Sequence, residues 1–302
     1  MNNRIIDVSE PGCRLSIKDR QLVIERHGQM AGTMPMSDVA CIVLTHQHTV
    51  VTQHVFALLG EHGGIVVICD ATHKPISISL PLFGHSNQNL RLRQQIAITE
   101  PRRKRLWQQI VRCKIRSQAA TLSRLGRKAS ALDKLDQRVA SGDPTNVEAH
   151  AARAYWQSLL GAGFFRRRPQ GGDMQNNALD YGYAILRATM ARAICSSSLH
   201  PTLGLHHSHR DNSFALADDL MEPFRPLVDE AVSRFEPHDP SSRSMDRQTK
   251  QAILAPMLGR VEWTDGARTV FDACTRVTAS LAQVLAGARK LLDLPLCVVP
   301  VE

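Results

Sequence analysis

The first eighty residues carry short runs of β-branched and alternating apolar residues separated by polar turns, a pattern typical of strands. We predict strands at 4–8, 14–18, 21–26, 39–44 and 65–69. Helical spacing over 50–60, closed by a glycine, predicts one helix between the last two strands. Alternation resumes after His73. The N-terminal part is therefore expected to be a small, β-rich domain.

The pattern changes near residue 82, and beyond it the apolar spacing is helical. The segment 82–90 is a plausible linker. Helices are predicted at 102–125, 132–139, 143–160, 175–195, 212–235 and 264–292. We predict an α+β fold with a β-rich domain over 1–81, a linker over 82–90 and a larger all-α domain over 91–302.

Composition narrows the choice of partners and of cellular compartment. The 302 residues contain 37 Lys and Arg against 28 Asp and Glu, a formal net charge of +9 that suits a polyanion such as nucleic acid. The seven cysteines form no C-x-x-C pair, which argues against a zinc ribbon and fits a reducing cytoplasm. We expect no signal peptide, because the N-terminal residues lack an apolar run, and no transmembrane helix.

Two clusters of arginine are candidates for DNA binding. The candidates are Arg102, Arg103, Arg105, Arg166, Arg167 and Arg168. Runs of this kind are usually solvated helix faces. Here aromatic residues are interleaved, among them Trp107 and Phe165, and Arg is suited to bidentate contacts with phosphate. We therefore favour binding to the DNA backbone.

Titratable side chains gather in the segment 206–222. His206 and His207 precede a predicted helix, on which Asp219 and Glu222 share one face at spacing i, i+3. Oxygen donors with one imidazole suit Mg²⁺ or Mn²⁺. We expect Pro223 to kink the helix and expose Glu222. Alternatively, the acidic residues only favour the helix dipole and the histidines pack against the core.

Glu148 is the candidate third ligand. Thr145 and Glu148 have the spacing of a capping box, so Glu148 could simply bond the Thr145 amide. Small alanines follow it and would allow a close approach to another helix. Two further motifs are interpreted as surface or loop residues: His46 with His48, and His238 with Asp239.

Three blocks, 145–156, 164–186 and 203–229, resemble the CRISPR-associated adaptation integrase, the metal-dependent nuclease that inserts new spacers into a CRISPR array. The double histidine and the 218–229 run are most similar to the type II subtype. The resemblance implies that Glu148, His207 and Glu222 bind the metal and that Asp219 is an additional acidic catalytic residue. His206 remains the alternative ligand if the loop register differs.

The same resemblance implies a reaction and an assembly. A DNA 3′-hydroxyl would attack a phosphodiester of the repeat, and a homodimer built by the β domain would join a small adaptation partner protein. Two other functions stay open from the residues. One is a metal-dependent nuclease acting on RNA or branched DNA in repair, and the other is a non-catalytic helical scaffold for nucleic acid. Loss of bound metal on removal of Glu148 or Glu222 would exclude the scaffold.

Overall fold

A computed structural model describes residues 4–71, 75–81, 87–166, 173–234 and 246–301. Contacts along the backbone divide the chain into two units, residues 1–85 and residues 86–302. The division lies inside the segment 82–90 predicted as a linker, of which residues 82–86 are outside the described part. The strands precede most of the helices along the chain, as the predicted α+β fold requires.

In its described residues, the N-terminal unit contains two four-stranded sheets. Their strands are β1 (Arg4–Val8), β2 (Cys13–Lys18), β3 (Gln21–Arg26), β4 (Gln29–Pro35), β5 (Val39–Leu44), β6 (Val50–Val51), β7 (Ile65–Cys69) and β8 (Pro75–Ser79). One sheet has the order β1-β5-β7-β8, with the first three strands parallel, and the other has the order β4-β3-β2-β6. Helix α1 (Gln53–Glu61) contributes Val55 to a core that includes Leu15, Leu22 and Ile42.

Helices dominate the described part of the C-terminal unit. They are α2 (Gln88–Ile96), α3 (Glu100–Arg124), α4 (Leu135–Arg138), α5 (Val147–Leu160), α6 (Met174–Ser196), α7 (Ala215–Leu220), α8 (Arg225–Ser233), α9 (Arg247–Leu258) and α10 (Val270–Leu285). A short hairpin joins β9 (Arg260–Val261) to β10 (Arg268–Thr269). Helix α6 is buried along most of its length between α10, α8 and α7, while α3 packs against α5 and α8. In the described ranges, no helix is long and apolar enough to cross a membrane.

Several predicted helices have different bounds. The helix expected over 50–60 begins at Gln53, because Val50 and Val51 pair with β2 instead. The helix expected over 132–139 is a 3-10 turn followed by α4, separated where Lys134 adopts a left-handed conformation. The helix expected from 143 begins at Val147, after a turn in which Asn146 is also left-handed.

The two C-terminal predictions need larger corrections. The helix expected over 212–235 is divided into α7, a 3-10 turn at Glu222–Phe224 and α8, since Pro223 and Pro226 lack the amide that a continuous helix needs. The helix expected over 264–292 covers only α10, because the β9–β10 hairpin occupies its predicted start. Helix α9 was missed altogether. His238 and Asp239 lie outside the described residues.

Candidate active site

Two glutamates from distant parts of the sequence meet on one buried lysine. Lys114 lies in the middle of α3, and its Nζ is 2.6 Å from Glu148 Oε1 and 2.6 Å from Glu222 Oε2. Glu148 belongs to the first turn of α5, and Glu222 begins the 3-10 turn after α7. The structure therefore brings together the two carboxylates that the sequence singled out as ligands. Because both oxygens touch one nitrogen, they are separated by no more than twice that distance.

The start of α5 explains why the Glu148 side chain is available. The Asp143 carboxylate accepts hydrogen bonds from the amides of Val147 and Glu148, each at 2.9 Å. Asp143 thus satisfies the amides that are unpaired at a helix start. The alternative of a capping box with Thr145 is wrong, since the N-cap of α5 is Asn146. The Glu148 carboxylate instead forms a hydrogen bond with Lys114.

Glu222 is buried and carries a negative charge between two cations. Arg225 Nε lies 2.9 Å from Glu222 Oε1, and Lys114 contacts the other oxygen. Burial by itself would raise the pKa of Glu222, but the charges of Arg225 and Lys114 lower it to about 2. Against the effect of burial, Glu222 and Glu148 raise the pKa of Lys114. The expectation that Pro223 exposes Glu222 is wrong, because the 3-10 turn packs against α3.

Asp219 holds the loop that carries the two histidines. Its buried carboxylate accepts hydrogen bonds from three successive amides, those of Leu205 at 2.6 Å, His206 at 3.0 Å and His207 at 3.1 Å. His207 Nδ1 is 2.6 Å from the same carboxylate. The hydrogen bond to Asp219 raises the pKa of His207. Asp219 therefore binds the loop backbone and the His207 ring, whereas Lys114 contacts Glu148 and Glu222.

The two histidines differ in their contacts. The His206 ring stacks on Trp107, with ring centroids 4.2 Å apart and planes 1° from parallel. His207 meets Trp107 edge-on at 5.8 Å. Because Nδ1 of His207 pairs with Asp219, Nε2 is the nitrogen left for a metal, the arrangement usual in carboxylate–histidine–metal sites. The geometry favours His207 over His206 as the candidate ligand.

The donor set fits a divalent cation, although the candidate ligands are not gathered around a common point in the described structure. In the ranges that the structure describes, no three His, Cys, Asp or Glu side chains form a group that could hold a metal ion. Glu148 and Glu222 nevertheless converge on a single positive charge, the Lys114 ammonium. Carboxylate oxygens with an imidazole nitrogen are donors suited to Mg²⁺ or Mn²⁺. The Lys114 ammonium thus occupies the point where the two carboxylates meet.

A buried polar network lies behind Glu222. The Arg225 guanidinium is 4.5 Å from the centroid of the Tyr183 ring, and the Tyr183 hydroxyl donates a hydrogen bond to Asp229. The Tyr155 hydroxyl donates a second one at 3.1 Å. Burial raises the pKa of Asp229 to about 7, although both phenols donate to its carboxylate. This network fixes Arg225, which in turn contacts Glu222.

The basic residues predicted to bind DNA have varied surroundings. Arg102 donates to the backbone carbonyls of Val284 and Arg289, and Arg103 is half-buried. Arg105 is exposed.

Arg166 is bound within its own chain, while the rest of its cluster is outside the described part. Its guanidinium binds Asn176 at 2.9 Å and forms an ion pair with Asp180. Arg167 and Arg168 lie outside the described residues. Among the four candidates that the structure describes, Arg105 is exposed and Arg103 is half-buried, while Arg102 and Arg166 are engaged within the chain.

Lys114 is a functional candidate that the sequence analysis did not identify. Its position is in phase with the buried side chains Trp107, Val111, Gln118 and Thr121. A lysine on the apolar stripe of a helix is a detectable signal, because a buried ammonium needs an anionic partner. Trp107 and Arg225 were also not identified as parts of the site.

With this geometry in place, the chain can be compared with known proteins. The family model described as CRISPR associated protein Cas1 matches residues 6–254. The chain belongs to the Cas1 family. The CRISPR-associated endonuclease Cas1 of Neisseria meningitidis serogroup C (strain 8013) is 40% identical to it over 223 residues, which are 73% of this chain and 72% of that protein. The predicted family and the predicted class of enzyme, a CRISPR adaptation endonuclease, are therefore confirmed.

Solved structures agree with the fold of this Cas1 family member. A casposase bound to its integration product aligns with a TM-score of 0.79 and 21% identity, covering 96% of this chain and 92% of the casposase. A chain of a Cas6-RT-Cas1–Cas2 complex aligns with a TM-score of 0.73 and 18% identity, covering 97% of this chain and 36% of that one. The predicted α+β fold, with β-sheets before a helical region, is confirmed.

Proposed function

We propose that this Cas1 family member integrates spacer DNA into a CRISPR array with a divalent metal ion held by Glu148, His207 and Glu222. The observation that carries the proposal is the convergence of Glu148 and Glu222 on one cation, although they are 74 positions apart in the sequence. Burying two carboxylates together, one from α5 and one from the 3-10 turn after α7, is costly for stability, which favours a functional role for the pair. The ion is Mg²⁺ or Mn²⁺, according to the donor types.

Each residue of the candidate site has a defined role in this proposal. A bound divalent ion would polarise the phosphodiester and lower the pKa of the attacking DNA 3′-hydroxyl. Glu148 and Glu222 supply negative charge, and Arg225 keeps Glu222 ionised. Asp219 fixes the tautomer of His207 and holds its loop through three amides.

The proposed substrates are protospacer duplex and CRISPR repeat DNA. The casposase bound to an integration product supports DNA as a ligand, and the neighbour in a Cas6-RT-Cas1–Cas2 complex supports a partner protein, which we propose is the small adaptation protein. Arg105 and Arg103 are proposed to contact the phosphate backbone, together with Arg167 and Arg168. We further propose a homodimer that forms through the N-terminal unit, and a location in the cytoplasm.

A strand-transfer assay tests the proposed reaction. A short duplex with free 3′-hydroxyl ends is incubated with a supercoiled plasmid carrying repeats, the small partner protein and Mn²⁺ or Mg²⁺. We expect joined product from the wild type and none from Glu148→Gln. Glu100→Gln is the matched control, because Glu100 also pairs with a lysine of α3 but is exposed.

The pattern of products separates the alternatives. Nicking without joining would contradict integration and favour a repair nuclease. Joining by Glu148→Gln at the wild-type rate would show that the proposed metal ligands are wrong. Absence of any metal-dependent product from the wild type would favour a non-catalytic scaffold.

A further inference from the structure

The ammonium of Lys114 sits where the two carboxylates could share a metal ion. Its nitrogen is 2.6 Å from both Glu148 Oε1 and Glu222 Oε2. Mg²⁺ binds carboxylate oxygens at about 2.0–2.1 Å, so an ion that used these two oxygens would occupy nearly the same position. The ammonium and a divalent ion therefore cannot both bind between these glutamates.

Burial makes the charge of Lys114 necessary when no metal is present. The Lys114 side chain is 11% exposed, and those of Glu148 and Glu222 are 21% and 6% exposed. Two carboxylates this close repel each other and cannot both remain ionised without a positive partner. Lys114 supplies that charge to both, while Arg225 reaches Glu222. The cluster is thus neutralised within the chain itself.

Lys114 makes a hydrogen bond to one glutamate and only an ion pair to the other. Lys114 donates a hydrogen bond to Glu148 Oε1. Glu222 Oε2 is fully buried, yet among the described residues it has no hydrogen-bond partner of proper geometry, so its contact with Lys114 is an ion pair. A buried carboxylate oxygen without a directed donor is under-satisfied. This oxygen is therefore available to a ligand that needs no particular donor direction, such as a metal ion.

We propose that Lys114 is an exchangeable counter-cation, which neutralises the glutamates in the metal-free protein and gives way to a divalent cation. The inference rests on the metal site proposed above. Lysine suits the role because its ammonium is a compact point charge on a flexible four-carbon stem, so it can withdraw without moving α3. Its presence preorganises the two carboxylates and lowers their affinity for metal, since each loading event must first break both ion pairs.

Mn²⁺ titration by electron paramagnetic resonance tests the exchange. Wild type, Lys114→Met and the control Lys104→Met are compared as full-length proteins. Lys104 lies on the same helix and pairs with Glu100 on the surface. We expect Lys114→Met to bind Mn²⁺ at least about tenfold more tightly than the wild type, because the competing charge is gone. Lys104→Met should match the wild type. Equal or weaker binding by Lys114→Met would overturn the proposal.

A measurement on the wild type keeps the proposal testable if Lys114→Met does not fold. Limited labelling with an amine-reactive reagent, followed by mass spectrometry, reports the accessibility of each lysine. We expect Lys114 to be protected without metal and to become reactive in Mn²⁺, with Lys104 reactive in both conditions. Protection of Lys114 that Mn²⁺ leaves unchanged, at concentrations that saturate the protein, would contradict the exchange.

Glu148→Gln separates failure of this inference from failure of the proposed function. If Glu148→Gln binds Mn²⁺ as well as the wild type, the metal site itself is misplaced. If Glu148→Gln loses Mn²⁺ while Lys114→Met gains no affinity, the metal site stands and the exchange of Lys114 is wrong.

Discussion

Asp219 accepts a hydrogen bond from His207 Nδ1 at 2.6 Å while the same carboxylate receives the amides of residues 205, 206 and 207. One buried side chain thus sets both the path of the loop and the tautomer of its histidine. A carboxylate in this position acts through the ligand that it orients. Asp219 is for this reason a positioning residue in the proposed site.

Replacing Asp219 should weaken metal binding without removing a ligand. We expect Asp219→Asn to lower Mn²⁺ affinity by about 10–100-fold, the usual cost of losing a carboxylate behind a histidine ligand. The matched control is Asp218→Asn, because the Asp218 carboxylate binds Arg187 and Asn212, while the amides of residues 205–207 bond to Asp219. Calorimetric titration with Mn²⁺ measures both variants. Equal losses in the two would mean that Asp219 has no specific relation to the ligand.

The two histidines should have separable effects. His207→Ala is expected to abolish specific Mn²⁺ binding, because it removes the nitrogen donor. His206→Ala removes the ring stacked on Trp107 and should cost about 0.5–1.5 kcal/mol of unfolding free energy while Mn²⁺ still binds. Titration with Mn²⁺ and chemical denaturation of the same preparations supply the two quantities. The reverse pattern, with Mn²⁺ lost in His206→Ala, would assign the ligand to His206.

Gly204 allows the loop to close tightly over Asp219. A Cβ at this position would lie 2.2 Å from the carbonyl oxygen of His207 and 3.0 Å from Asp219 Oδ2. Gly204→Ala should therefore displace the loop, lower Mn²⁺ affinity and cost about 1–3 kcal/mol in stability. Gly163→Ala is the control, since a Cβ there meets no atom within 4 Å. If both variants bind Mn²⁺ like the wild type, the close approach at Gly204 is irrelevant to the site.

Asp229 should make stability depend on pH. Because burial raises its pKa from 3.8 to about 7, the folded protein keeps a proton that the unfolded chain loses within that interval. Unfolding free energy therefore falls as pH rises from 4 to 7, by on the order of 2–4 kcal/mol from this group. In Asp229→Asn that decrease should be absent. Urea denaturation of both proteins at pH 5 and pH 8 checks this, and parallel pH profiles would contradict it.

Several strands of the N-terminal unit could be predicted from local periodicity, whereas β4 was not predicted and β6 was assigned to a helix. β1, β3, β5 and β7 have the predicted bounds, since each is a β-branched run between turns. The helical errors occur where a local signal competes with tertiary structure. Val50 and Val51 fit the apolar face of a helix equally well, but a neighbouring strand was available to pair with them.

The acidic residues of the candidate site could be predicted from the sequence, but the buried lysine between them could not. Glu148, Asp219 and Glu222 were identified from spacing and resemblance, and the structure gives each a defined contact. Lys114 was not identified because α3 contains many basic residues, and a buried lysine among them has the same sequence signal as a lysine on a DNA-binding surface. The buried face of α3 is set by its packing against α5 and the turn at Glu222–Phe224. The sequence of α3 alone does not identify that face.

The most direct test of the metal centre is anomalous X-ray diffraction from crystals of the wild-type protein soaked in Mn²⁺. We expect one strong anomalous peak within bonding distance of Glu148, Glu222 and His207 Nε2, with the Lys114 ammonium withdrawn from both carboxylates. A saturated crystal in which Lys114 still bridges Glu148 and Glu222, with no manganese between them, would contradict it.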